Sequence, residues 1–149
     1  MLANEERGEF DIELAGGTFS MRPSWDAIQA FEKGTGRSLL VLAGQAAAKA
    51  LDTRSMATIV VECVAAWGRA KGIMSAQGFD IDRTAGMIMD SPGGPLVLCE
   101  RLRLMLYMAA TGGITSSGEV RAPVAKAAPV PEIKPSATAR KRKMPAAGG

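Results

Sequence analysis

Residues 8–37, GEFDIELAGGTFSMRPSWDAIQAFEKGTGR, constrain the fold more than any other stretch of the chain. Phe10, Ile12 and Leu14 alternate with Glu9, Asp11 and Glu13, the period-two pattern of a strand with one buried face. The pair Gly16-Gly17 that follows suits the positive φ angles of a tight primed turn. With these glycines at its centre, Leu14 faces Phe19, Ile12 faces Met21 and Asp11 faces Arg22, so the apolar pairs share one side. A one-residue slip would carry the apolar set to the opposite face, and the buried side is therefore strongly specified.

Pro23 ends the second strand, and Ser24 is placed to cap a helix starting at Trp25, with Asp26 at its positive end. Trp25, Ala27, Ile28 and Phe31 give that helix an apolar stripe over the hairpin, and Gly34 is expected to supply its left-handed C-terminal residue. Ser38 caps the next predicted helix, Leu39 to about Leu51, which is apolar or alanine almost all round and is expected to be buried. A third helix starts at Asp52 or Thr53 and carries Met56, Ile59 or Val60, Cys63 and Trp67 at helical spacing, until Gly68 and Gly72 weaken it. Residues 73–79 read as a connector. A short helix from Asp80 or Ile81 to Met89 is broken by Ser91-Pro92-Gly93-Gly94, and Pro95 fits the first turn of a last helix ending at Gly112-Gly113.

That last helix carries only Glu100, Arg101 and Arg103 as charges before its end, too few for a helix half in water, so part of its surface is expected to meet another chain. Leu98, Leu102, Met105 and Leu106 are the predicted contact residues. Met56, Met87, Met89, Met105 and Met108 lie in predicted helices, where their flexible thioethers suit ordinary core filling and equally a surface that repacks against varied apolar partners. Beyond Gly113 the periodicity stops, and five of the eight prolines fall between Pro123 and Pro145. The predicted organisation is a mainly α (α+β) domain over residues 1–113, an N-terminal β-hairpin packed on about five helices, followed by a disordered basic tail over residues 114–149.

Composition narrows the chemistry. The chain has no histidine, which removes the commonest general base and metal ligand. Cys63 and Cys99 each sit in an apolar helical pattern as small buried hydrophobes, and with no secretory leader in view the expected setting is the reducing cytoplasm. The longest apolar run, Leu104 to Ala110, is far short of the roughly 20 residues that span a bilayer, so no membrane association is expected. Asp80, Asp82 and Thr84 stand at the spacing that opens a calcium loop, but Ala85 and Ser91 occupy the positions that need glycine and glutamate. The segments Gly34–Arg37 and Ser91–Gly94 lack the lysine and hydroxyl of a phosphate-binding loop, and helix termination accounts for them. No acid–base pair, metal site or cofactor site is expected.

Residues 119–149 hold seven basic and two acidic residues, a net of +5, whereas the rest of the chain is −2. The run Arg140–Lys143 could attract phosphates, but without interleaved aromatics it is read as a solvated tail, and nucleic-acid binding is not the first expectation.

The order of residues in the opening segment resembles the small gene transfer agent and tailed-phage proteins of the tail assembly chaperone group. The matching positions are Arg7, Gly8, Glu9, Gly16 or Gly17, Arg22, Pro23, Ser24, Trp25, Asp26, Ala27, Ile28, Glu32, Thr35, Gly36 and Arg37. The resemblance covers about residues 5–42, thins to an alanine-rich helical pattern up to about residue 111, and does not extend to the basic tail. It implies a non-enzymatic protein encoded near the tail tube and tape measure genes. Such a protein would bind the tape measure protein, with the tube protein as a further candidate partner, in the bacterial host cytoplasm before the tube polymerises. It leaves open virion association as a structural tail tube component. The residues also leave open self-association as a homo-oligomer through a hairpin edge, and an accessory role on nucleic acid through the tail.

Overall fold

The computed structural model describes residues 10–121 of the 149-residue chain. A two-stranded antiparallel hairpin, β1 (Phe10–Leu14) and β2 (Gly17–Met21), precedes five helices: α1 (Trp25–Thr35), α2 (Leu39–Ala47), α3 (Thr53–Lys71), α4 (Ile81–Asp90) and α5 (Gly94–Ala110). A single 3-10 turn, Met74–Gln77, occupies the connector between α3 and α4. The mainly α architecture with an N-terminal hairpin is as the sequence predicts.

The hairpin register is not. Leu14 pairs with Gly17, Ile12 with Phe19 and Phe10 with Met21, a shift of two residues from the expected pairing. The turn is Ala15-Gly16, with φ of 49° and 86°, both in the left-handed region that a primed two-residue turn requires. Alanine holds that conformation with local help: the Ala15 amide donates to Ser91 Oγ at 2.8 Å. Across the strands, the Ser20 hydroxyl donates to Asp11 Oδ1 at 2.7 Å, a pair that the expected register would have separated. A shift of two preserves which side chains face inward, and Ile12, Leu14 and Met21 are indeed buried.

Helix α3 is the axis of the domain. Asp52 caps it, its carboxylate accepting from the Ser55 amide at 3.0 Å, and Gly72 ends it with φ of 73°. Met56, Ile59, Val60, Cys63, Val64 and Trp67 are buried on several sides of it, because α1, α4, β2 and the 3-10 turn all pack around it. The hairpin lies against α3, α4 and α5, and α1 packs on α3 rather than over the hairpin as expected. Gly34 explains how α1 closes in: a Cβ there would sit 2.8 Å from Thr58 Cγ2. It is therefore a packing glycine inside α1, and the left-handed terminator is Gly36, with φ of 71°. The stripe on α1 is also narrower than expected, since Ala27 and Phe31 are buried while Trp25 is 53% exposed.

The corner joining α1, α2 and α3 is fastened by residues of the Glu32–Arg37 segment. The Glu32 carboxylate accepts from the Leu39 amide at 2.8 Å, and the Thr35 hydroxyl donates to the Phe31 carbonyl at 2.8 Å. Arg37 Nη1 donates to Asp52 Oδ1 at 2.7 Å and Ser55 Oγ at 2.8 Å. Partial burial would raise the Asp52 carboxyl, but hydrogen bonds from Arg37 and from the Ser55 hydroxyl and amide outweigh it and hold the pKa at about 2. At the other end of α1, the Ser24 hydroxyl donates to the Asp26 carboxylate instead of accepting from a helix amide, and Arg69 of α3 pairs with Asp26.

Two further expectations change. Helix α2 is capped by Ser38 as predicted but stops at Ala47, and it buries only Leu42 and Ala46; Leu40 is 68% and Val41 48% exposed. Order also continues past Gly113. Ile114 bridges Val120, the Trp25 amide donates to the Ser116 carbonyl at 2.7 Å, and Arg22 Nε donates to the Ser117 carbonyl at 3.0 Å. The segment 114–121 thus belongs to the folded body, and the domain extends beyond the predicted boundary. The rest of the predicted disordered tail, with Arg140–Lys143, lies outside the described residues.

Candidate docking surface

Helix α5 opens with the left-handed Gly93 and with Pro95 in its first turn. Its apolar residues form two stripes, one residue out of step. The first is Leu98, Leu102, Met105 and Leu106, the predicted partner contact, and all four are core residues, at most 5% exposed. They cannot touch a partner while the domain is folded, because α2, α3, α4 and β1 cover that face. The second stripe runs through Val97, Leu104 and Met108, at i, i+7 and i+11, and its members lie at the surface. Leu104 is 52% exposed, and Leu96 and Tyr107 are also exposed on α5.

The second stripe forms one wall of a groove of about 610 Å³, and Phe10, Ile12 and Met21 of the hairpin line the other side. Toward the α4–α5 junction the groove runs into a smaller recess of about 80 Å³ lined by Leu14, Ser91 and Pro92, which shares Ile12, Val97 and Arg101 with it. Ser91 therefore anchors the Ala15 turn and shapes the end of the groove at once.

Charge along the groove is uneven. Glu100 Oε1 accepts from Arg103 Nε at 3.1 Å, and Glu100 Oε2 lies 3.7 Å from Lys49 Nζ, an ion pair too long for a hydrogen bond. Two cations thus flank its carboxylate, and Oε2 is buried with no hydrogen-bond donor among the described residues. Arg101, between Val97 and Leu104 in the groove, has no carboxylate partner among the described residues. Arg101 thus places a cation beside the apolar surface of Val97 and Leu104.

A second recess, of about 310 Å³, opens on the other side of the hairpin, where Phe19 and Phe79 meet edge-to-face at 5.1 Å. Trp67 lines it, and the indole Nε1 is buried with no acceptor among the described residues.

The titratable groups have structural duties. Asp80 caps α4, accepting from the Arg83 amide at 2.8 Å, and Asp82 pairs with Arg54 at 2.8 Å, so the carboxylates of the calcium-like segment do not converge. Among the described residues no group of three or more cysteine, aspartate or glutamate side chains is placed to hold a metal ion. Cys63 and Cys99 are buried free thiols. Burial pushes the Cys63 thiol far up, reinforced by Glu62 and Asp26, and the nucleophilic thiolate is disfavoured. Among the described residues no helix is long and apolar enough to cross a membrane. No protein-family model, curated protein or solved structure matches the chain.

Proposed function

We propose that this protein is a non-enzymatic assembly chaperone of phage-type, gene transfer agent-like tails, which binds the tape measure protein in the host cytoplasm before the tail tube polymerises. The observation that carries this reading is the exposed apolar stripe of α5 beside the hairpin groove, surface that the described residues leave uncovered. The resemblance over residues 5–42 gives that surface a partner class. A tape measure presents long apolar helical stripes before assembly, and a groove of this kind covers one face of a helix. Release must follow when the tube forms, so affinity per site is modest and many copies act along one chain.

Co-expression with the tape measure protein of the same gene cluster tests the reading. The tape measure is expected to remain soluble and to co-elute with this protein on gel filtration, and to aggregate without it. An insoluble tape measure in both cases would remove the proposal. The +5 charge of residues 119–149 favours a second reading, an accessory role on nucleic acid. Truncation after Arg121 separates the two, since it abolishes salt-sensitive DNA retention under the second reading and leaves tape measure solubilisation intact under the first. Presence in purified particles would instead point to a structural tail tube component.

A further inference from the structure

The groove between β1 and α5 is specific enough to say what kind of segment it takes. Its α5 wall, from Val97 to Met108, spans about 16 Å at 1.5 Å per residue, the length of three helical turns. The wall is apolar at Val97, Leu104 and Met108, and the hairpin side is apolar at Phe10, Ile12 and Met21. Its volume of about 610 Å³ lies inside the range of roughly 300–1,000 Å³ typical of ligand clefts. Of the two arginines in the wall, Arg103 pairs with Glu100 Oε1, whereas Arg101 has no carboxylate partner among the described residues; Glu100 also lies near Lys49, and Asp11 accepts from Ser20.

Resting on the chaperone reading, we propose that this groove binds an amphipathic helix of about three turns, with apolar residues at i, i+3 or i+4, and i+7 and a glutamate or aspartate flanking that stripe to meet Arg101. The apolar stripe supplies affinity by displacing water from Val97, Leu104 and Met108. The acidic residue supplies orientation, because a helix laid in the opposite direction presents its carboxylate away from Arg101. Basic apolar helices are rejected by the same side chain.

The test uses the full chain and two fluorescein-labelled synthetic helices of 14 residues with an identical leucine stripe, one flanked by glutamate and one by lysine at the same position. Anisotropy is expected to show the glutamate peptide binding at least about fivefold tighter than the lysine peptide at low salt. Arg101→Glu reverses that preference, and Leu104→Asp weakens both peptides by about tenfold or more, as loss of a central apolar contact does. Both substitutions are on exposed positions, and circular dichroism checks that the fold survives. Equal binding of the two peptides, an unchanged preference in Arg101→Glu, or equal binding by Leu104→Asp overturns the groove assignment. Val41→Asp on exposed α2 is the control: loss of binding there moves the site to α2 and also overturns it. The two readings fail separately. If wild-type protein solubilises the tape measure while the groove variants behave as wild type, the chaperone reading stands and the groove falls; if the peptides discriminate as stated but the tape measure is never solubilised, the groove stands and its assigned partner falls.

Discussion

Helices α3 and α5 are both long and rich in apolar residues, yet the fold treats them differently. Around α3, neighbours on several sides leave Met56, Ile59, Val60, Cys63 and Trp67 buried, and no large apolar side chain on it is exposed. On α5 one stripe is covered and a second, one residue out of step, faces a groove. Hydrophobic content alone therefore says little about binding; the informative quantity is the apolar surface left over once the domain has closed. The polar fasteners follow the same division, since Asp52, Arg37, Asp26 and Arg69 pin α3 to its surroundings, while the Arg101 side chain beside the groove makes no ion pair among the described residues.

The sharpest contrast lies between residues two positions apart on α5. Leu102→Ala is expected to cost about 2–5 kcal/mol in urea denaturation, as cavity-forming core truncations do. Leu104→Ala should stay within about 0.5 kcal/mol, as surface changes do. Equal losses at the two sites would erase the distinction between the stripes.

Next in size is the closeness of α1 to α3. Gly34→Ala brings a Cβ to within 2.8 Å of Thr58 Cγ2. Thermal unfolding should show a loss of about 1–3 kcal/mol from the overpacking. Gly44 on the open helix α2 has no described side chain or neighbouring element within 4 Å of where a Cβ would sit. Gly44→Ala is therefore expected to stabilise by about 0.5–1 kcal/mol through helix propensity. A stabilising Gly34→Ala would show that α1 does not seat against α3 as described.

The smallest effects are electrostatic. Asp52→Ala removes a helix cap and should cost about 1 kcal/mol at neutral pH. The carboxyl titrates at about 2 when folded against an ordinary value of 3.8, so its contribution is present above pH 3.8 and fades as pH falls toward 2. Half of that side chain is exposed, and solvent screening keeps the pH-dependent part small. Stability curves of wild type and Asp52→Ala should converge below pH 3.8; a gap that widens there contradicts the cap.

Much of this arrangement was legible in the residues. Ser38, Asp52 and Asp80 precede apolar runs and cap helices through their side chains, which is local chemistry. The inward face of the hairpin was legible from alternation, but its register was not, because a two-residue shift satisfies the same alternation, and the observed turn is met by Ser91, 76 positions away from Ala15. The expected terminator role of Gly34 passes to Gly36 for a similar reason: Gly34 packs where Thr58 approaches, and the left-handed turn comes two residues later. On α5 the sequence contains both stripes, and only the positions of α2, α3, α4 and β1 determine which is covered. Segment 114–121 has no apolar periodicity and is held by backbone carbonyls that Trp25 and Arg22 reach, contacts that composition does not encode.

Amide hydrogen exchange on α3 and α5, with the protein alone and mixed with the proposed tape measure partner, probes the difference between the two helices in one experiment. Added protection over Val97–Met108 and Phe10–Leu14, with exchange in Thr53–Lys71 unchanged, is the predicted result. Protection confined to other elements, or none at saturating tape measure, would contradict the claim that α5 carries the binding surface.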